Sequence, residues 1–153
     1  MNIFMQRAIA LSIENVKKGG GPFGAVIVKN DIIIAEGVNR VTASHDPTAH
    51  AEIVAIRTAC TALQSFQLTG CSIYSSCEPC PMCFGAIYWA RPDIVYFANT
   101  KHDAASINFD DSFIYTQLAI TPEQRSIPFI HVNAPEALSA FVLWQQKLDK
   151  IPY

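Results

Sequence analysis

Charge is scarce in this chain. Only 16% of its 153 residues are Asp, Glu, Lys or Arg, and the net charge is -2. No run of Lys or Arg forms the basic stripe that grips nucleic acid, so composition weighs against an RNA or DNA partner. No uninterrupted apolar run reaches membrane-spanning length, so a membrane partner is not expected. The opening segment, MNIFMQRAIALSIENVKK, has Arg7 and Glu14 inside its apolar pattern and no basic leader. It reads as an amphipathic helix and not as a signal peptide. Repeats, low-complexity segments and long linkers are absent. The five cysteines (Cys60, Cys71, Cys77, Cys80 and Cys83) are odd in number and clustered, which does not suit a disulfide framework. Together these absences favour the cytoplasm.

Half of the residues are hydrophobic. That suffices for one domain over residues 1–153, with apolar surface to spare for contact between subunits. Ala8, Ile9, Leu11, Ile13 and Val16 predict a first helix, ended by Gly19-Gly20-Gly21-Pro22. Residues 24–29 and 32–38 are rich in Val and Ile, and Asn30-Asp31 between them predicts a β-hairpin. A polar loop, 39–47, leads to a helix for which Asp46 and Thr48 are candidate N-caps. Ile53, Ile56, Cys60 and Leu63 share one face of that helix. Further strands are expected at 71–75, 94–98 and 129–132. Further helices are expected from Pro79 to about Tyr88, and from Glu136 to about Lys147, the latter packing Leu138, Phe141, Val142 and Leu148 inward. Loop and short helices fill 99–128. This order predicts an α/β domain, a three-layer α/β/α sandwich with a mixed central sheet of about five strands.

The chemistry sits in two short motifs, His50-Ala51-Glu52 and Pro79-Cys80-Pro81-Met82-Cys83. One imidazole and two thiolates suit zinc. Three protein ligands leave a fourth position for water, the arrangement of a catalytic site. Cys80 and Cys83 lie three apart on the first turn of a helix, whose N-terminus favours thiolates. His50 and Glu52, two apart, serve one site only if the metal lies beyond the end of their helix. Glu52 can then move the proton of that water. Cys77 is an alternative or fourth ligand by spacing, although a fourth ligand would leave Glu52 without a task. The plain reading of Cys60, Cys71 and Cys77 is as small buried residues. A structural zinc knuckle would account for a C-x-x-C alone. H-x-E together with P-C-x-x-C is the signature of the zinc nucleobase deaminases.

The chain resembles the cytidine deaminase superfamily over nearly its full length, and within it the small bacterial guanine deaminases. The resemblance is carried by GPFGAVIV at 21–28, DPTAHAE at 46–52, SCEPCPMC at 76–83 and GAIYWARP at 85–92. FDDSFIY at 109–115 and the terminal Tyr153 draw it towards guanine. The resemblance implies one Zn2+ per subunit, held by His50, Cys80 and Cys83. It also implies that activated water adds to C2 of guanine, with Glu52 taking its proton, protonating the ring nitrogen and later protonating the leaving amine. The products would be xanthine and ammonia.

By the same resemblance, Asn39 binds the purine edge, Phe23 and Trp89 pack on the ring, and Ala51 lines the site. Asp111 contacts the 2-amino group and assists proton transfer; a register shift of one gives that role to Asp110. By residue type alone, Asn39 is an ordinary turn residue and Phe23 and Trp89 are plain core. Tyr153, within a segment at about 148–153, would cover the active site of a neighbouring subunit in a domain-swapped homodimer. The competing readings are a tRNA adenosine deaminase, a cytosine or other small-molecule aminohydrolase, and a non-catalytic zinc-binding module. Glu52 argues against the last, since a structural site needs no proton shuttle.

Overall fold

The computed structural model describes residues 2–153. Its chain forms two compact units, the first running to Ser112 and the second comprising Phe113–Tyr153. The first unit opens with helix α1 (Ile3–Lys17), N-capped by Asn2, whose side chain accepts from Phe4 N at 2.8 Å. Strands β1 (Gly24–Lys29) and β2 (Ile32–Val38) follow as the expected hairpin. Asn30 and Asp31 both have positive φ, 50° and 59°. Those angles mark the primed turn whose twist suits a two-residue hairpin. After a short helix α2 (Val41–Ser44) come α3 (Ala51–Leu63), β3 (Cys71–Cys77), α4 (Pro81–Ala90) and β4 (Ile94–Asn99).

The sheet has the order β2-β1-β3-β4. β1 is antiparallel to both neighbours, and β3 runs parallel to β4, joined by α4. Alternation along the strands gives the sheet two apolar faces. Ala25, Ile27 and Ile73 cluster with Ala51, Ala55 and Ala59 of α3 and with Ile87 and Ala90 of α4. Val26, Val28 and Tyr74 cluster with Phe4, Ala8 and Leu11 of α1. The expected three layers and mixed sheet are therefore present.

Packing is closest where α3 meets β2. A Cβ added to Gly37 would lie 2.1 Å from the Ala51 carbonyl and 2.6 Å from Ala55 N. Only glycine admits a helix backbone that near to a strand. The start of α3, with its functional motif, is thus seated directly on the sheet.

Several details differ from the sequence expectation. Among the described residues the sheet has four strands, since 129–132 is exposed and irregular. The inward stripe of α1 is Phe4, Ala8, Leu11, Ser12 and Asn15, while Ile13 and Val16 are exposed. His50 is the N-cap of α3, not Asp46 or Thr48. Asp46 instead closes a local turn, its Oδ1 accepting from Thr48 N and Oγ1.

The region after β4 holds α5 (Lys101–Ser106) and α6 (Ser112–Ala119), and the chain ends with α7 (Leu138–Gln146). Leu138, Phe141, Val142 and Leu148, expected inward, are exposed. An apolar stripe is buried only where another apolar surface meets it, and the second unit supplies no such surface.

Candidate metal centre

Two helix beginnings supply the centre. His50 is the N-cap of α3 and Cys80 the N-cap of α4, both with extended backbone and neither side chain capping its own helix. A side chain at an N-cap lies beyond the first turn. This is how His50, and Glu52 in that first turn, reach one point despite standing two apart. Cys83 follows one turn into α4, where Pro81 occupies the first helical position. Both helix N-termini add partial positive charge, which favours anionic sulfur.

The side chains converge. His50 Nδ1 lies 3.5 Å from Cys80 Sγ and 3.6 Å from Cys83 Sγ. Among the described residues, these three form the one group whose ligand atoms all lie within 4.8 Å of one another. Zinc bonds of about 2.05 Å to nitrogen and about 2.3 Å to sulfur, at the tetrahedral angle, place those atoms about 3.6 Å apart. The donor set and its spacing therefore fit zinc.

Protonation in the pocket follows from proximity. The Cys83 thiol donates to Cys80, and His50 also bonds to it; together they outweigh burial and bring the Cys80 pKa down to about 4. Cys83 is pushed far up by that same hydrogen bond and by burial. A divalent cation at this point would take both sulfurs as thiolates, displacing any proton they carry. The bond to Cys80 raises His50. Glu52 is raised mainly by burial, its residue being only 6% exposed.

Glu52 is held at both oxygens. Ser75 Oγ donates to Oε1 at 3.3 Å, and Cys83 Sγ lies 3.5 Å from Oε2. Oε2 therefore faces the donor triangle. Sequence reasoning missed Ser75. The available signal was a pair of hydroxyls, Ser75-Ser76, inside a strand buried on both faces, where polar side chains need partners. Its neighbour Ser76 accepts from Gly24 N.

Cys77 ends β3, and its Sγ points to the Thr100 carbonyl at 3.6 Å. Burial raises its pKa to about 11, as expected of an inert thiol. Cys71 is buried in the core and Cys60 packs against it. These three cysteines stand outside the centre.

Asn39 lies just past β2, partly buried. Its N donates to the Phe23 carbonyl at 3.1 Å and its Oδ1 accepts from Val41 N at 3.2 Å. That bond fixes which way the amide faces and leaves Nδ2 as the free donor. Phe23 packs edge-on against Phe109, with centroids 5.0 Å apart. Ala51 is fully buried at the start of α3. Asp111 is half-buried; burial raises its pKa first, and the charge on Cys80 raises it further, which places the carboxyl within electrostatic reach of the centre. Asp110 is exposed and accepts from Ser112 N, a local turn bond. Trp89 is 64% exposed and sits six residues beyond Cys83, about 9 Å along the α4 axis. Tyr153 lies in the second unit and is exposed.

Comparison with known proteins matches residues 1–99 to the cytidine and deoxycytidylate deaminase zinc-binding region. Guanine deaminase of Bacillus subtilis is 56% identical over 151 residues, covering 98% of this chain and 97% of that protein. An X-ray structure of guanine deaminase from Bacillus subtilis superposes with a TM-score of 0.98 at 55% identity, covering 100% of this chain and 99% of the other. A tRNA-specific adenosine deaminase of Agrobacterium fabrum is 33% identical over 142 residues, covering 93% of this chain and 90% of that protein.

Proposed function

The chain belongs to the family of the cytidine and deoxycytidylate deaminase zinc-binding region, and on that premise we propose that it hydrolyses guanine to xanthine and ammonia. The observation that carries the substrate is the reach of the likeness. The zinc-binding region ends at residue 99, whereas the 56% identity with a guanine deaminase covers 98% of the chain, Asp111 lying past that end. A tRNA-specific relative aligns almost as far, but at 33% identity.

His50, Cys80 and Cys83 would hold zinc. When bound, zinc supplies a Lewis acid that lowers the pKa of water in its open position. Glu52 takes one proton of the attacking water and hands it to the ring nitrogen next to C2. It then takes the remaining proton from the new C2 hydroxyl and gives it to the amine, which leaves as ammonia as the C–N bond breaks and the C=O forms. Burial raises the pKa of this carboxyl, and a raised carboxyl holds a proton more readily than a free one, as a group that accepts and then returns a proton must. Ser75 keeps Oε1 engaged so that Oε2 faces the reacting atoms. Asn39 donates from Nδ2 to an acceptor on the purine edge. Phe23 and Ala51 shape the ring site, with Trp89 and Tyr153 as its outer aromatic contacts. Asp111 accepts from the 2-amino group.

The active form is a homodimer, in which the segment at about 148–153 closes the site of the neighbouring subunit. Its support is the second unit's exposed apolar set, including Leu138, Phe141, Leu143, Leu148, Ile151 and Tyr153. Such a surface calls for a partner. The reaction belongs in the cytoplasm, where the free thiols stay reduced. No described helix is long and apolar enough to cross a membrane.

Ammonia release from guanine and from adenosine in a tRNA anticodon stem tests the substrate. Guanine should be faster by about a hundredfold or more, as expected of a pocket built to hydrogen-bond one base. Faster release from the RNA would transfer the assignment to the tRNA deaminases.

A further inference from the structure

We infer that Asn15, on the buried stripe of α1, is the positioning residue that sets the purine-reading amide of Asn39; this rests on the proposed role of Asn39. Asn15 is only 9% exposed, at the point where Phe4, Ala8 and Leu11 continue along the helix. A polar side chain on an apolar stripe has to be satisfied, and Asn15 uses both protons of its amide. Nδ2 donates to the Gly21 carbonyl and to the Asn39 carbonyl, each at 2.8 Å. The reverse orientation of the amide would set its oxygen against two carbonyl oxygens, so the chemistry fixes the assignment.

The Asn15 backbone carbonyl adds to this anchor by accepting from Gly20 N at 2.8 Å and Lys18 N at 3.1 Å. One residue thereby ties the end of α1, the Gly19–Gly21 turn and the end of β2. The turn is shaped to it. A Cβ on Gly20 would lie 2.4 Å from Asn15 Nδ2, and one on Gly21 would lie 3.1 Å from Asn39 Cγ.

Asn39 is therefore held on its main chain from both sides, its N by Phe23 and its carbonyl by Asn15. The side chain that reads the base springs from a Cα fixed by those two bonds. Arg40 N then bonds to the Ala49 carbonyl at 2.9 Å, so the same anchor is the root of the loop leading back to His50. Without the Asn15 donor, the Asn39 carbonyl loses its buried partner, and the amide loses its registration against the purine edge.

Steady-state kinetics of Asn15→Ser, Asn39→Ala and the double variant test this, with zinc content and Tm recorded for each. Asn15→Ser should raise the guanine KM about tenfold while kcat changes by less than about threefold, the mark of lost binding that is uniform to ground and transition states. In the Asn39→Ala background the same substitution should change KM by less than about twofold, because coupled residues do not act additively. An unchanged KM, a fall in kcat alone, or equal KM effects in both backgrounds would overturn the inference. Gly20→Ala gives an independent route if Asn15→Ser does not fold, since its new Cβ displaces the Asn15 amide. It should reproduce the KM rise, and a normal KM would overturn the inference. Failure of the guanine reading shows separately, as a wild-type chain without guanine turnover. The same KM comparison, on the base that it does deaminate, then decides the role of Asn15.

Discussion

Gly37→Ala perturbs the centre without touching it. The new Cβ would stand 2.1 Å from the Ala51 carbonyl oxygen, 2.6 Å from Ala55 N and 3.0 Å from Ala55 Cβ. Comfortable separation needs about 3.5 Å, so α3 and β2 must part by more than about 1 Å. All three obstacles belong to α3 itself, so no side chain can swing aside. Ala51 stands between His50 and Glu52, while Cys80 and Cys83 sit on α4. The displacement therefore opens the 3.5 and 3.6 Å separations between His50 and the two sulfurs. Overpacking of this kind costs about 1–3 kcal/mol of stability. A 1 Å misplacement of reacting groups costs about a hundredfold in rate. Urea denaturation and guanine turnover at saturating zinc measure the two effects. Gly85→Ala is the control. Its Cβ meets nothing within 4 Å, and it should gain about 0.5–1 kcal/mol from helix propensity. Wild-type stability and turnover in Gly37→Ala would refute the reasoning that glycine seats the catalytic helix.

Cys77→Ala should keep one zinc per subunit, whereas Cys83→Ala should lose most of it; metal analysis after dialysis separates the two, and zinc loss in Cys77→Ala would restore Cys77 as a ligand. The Arg7–Glu36 pair gives a test against pH. Its bond of 2.6 Å lowers the Glu36 pKa, chiefly through the hydrogen bond itself. A lowered carboxyl stabilises the fold above its unfolded pKa and loses that contribution as pH falls through the folded value. The side chains are 36% and 38% exposed, so solvent screening limits the pair to about 0.5 kcal/mol. Glu36→Gln should therefore weaken the fold by that amount at neutral pH and by nothing once pH has fallen through the folded value. A difference that persists in acid would contradict the linkage.

Local chemistry made much of this legible in advance. The hairpin could be read because Asn30-Asp31 supports positive φ between two Val/Ile runs. The metal centre could be read because its ligands sit at helix starts, where short spacing fixes direction. Contacts that join distant segments were not legible. Ser75 meets Glu52 across 23 residues and Asn15 meets Asn39 across 24, and no periodic pattern announces either. The second unit shows a different limit. Helical spacing of Leu138, Phe141 and Val142 predicts a buried stripe, yet burial depends on a surface that spacing cannot specify. Residues 129–132 have the types found in strands, yet they are exposed and irregular, since a strand depends on pairing that residue type alone cannot specify.

The central claim is that a buried carboxylate beside a zinc-binding triad runs the proton transfers of guanine hydrolysis. Glu52→Gln tests it most directly, with zinc stoichiometry and guanine turnover measured on the same preparation. The triad lacks Glu52, so one zinc per subunit should remain while turnover falls by about a thousandfold or more, within the range of a lost general acid–base. Full zinc with turnover within about tenfold of the wild type would be too small a loss for the proton shuttle and would contradict the account.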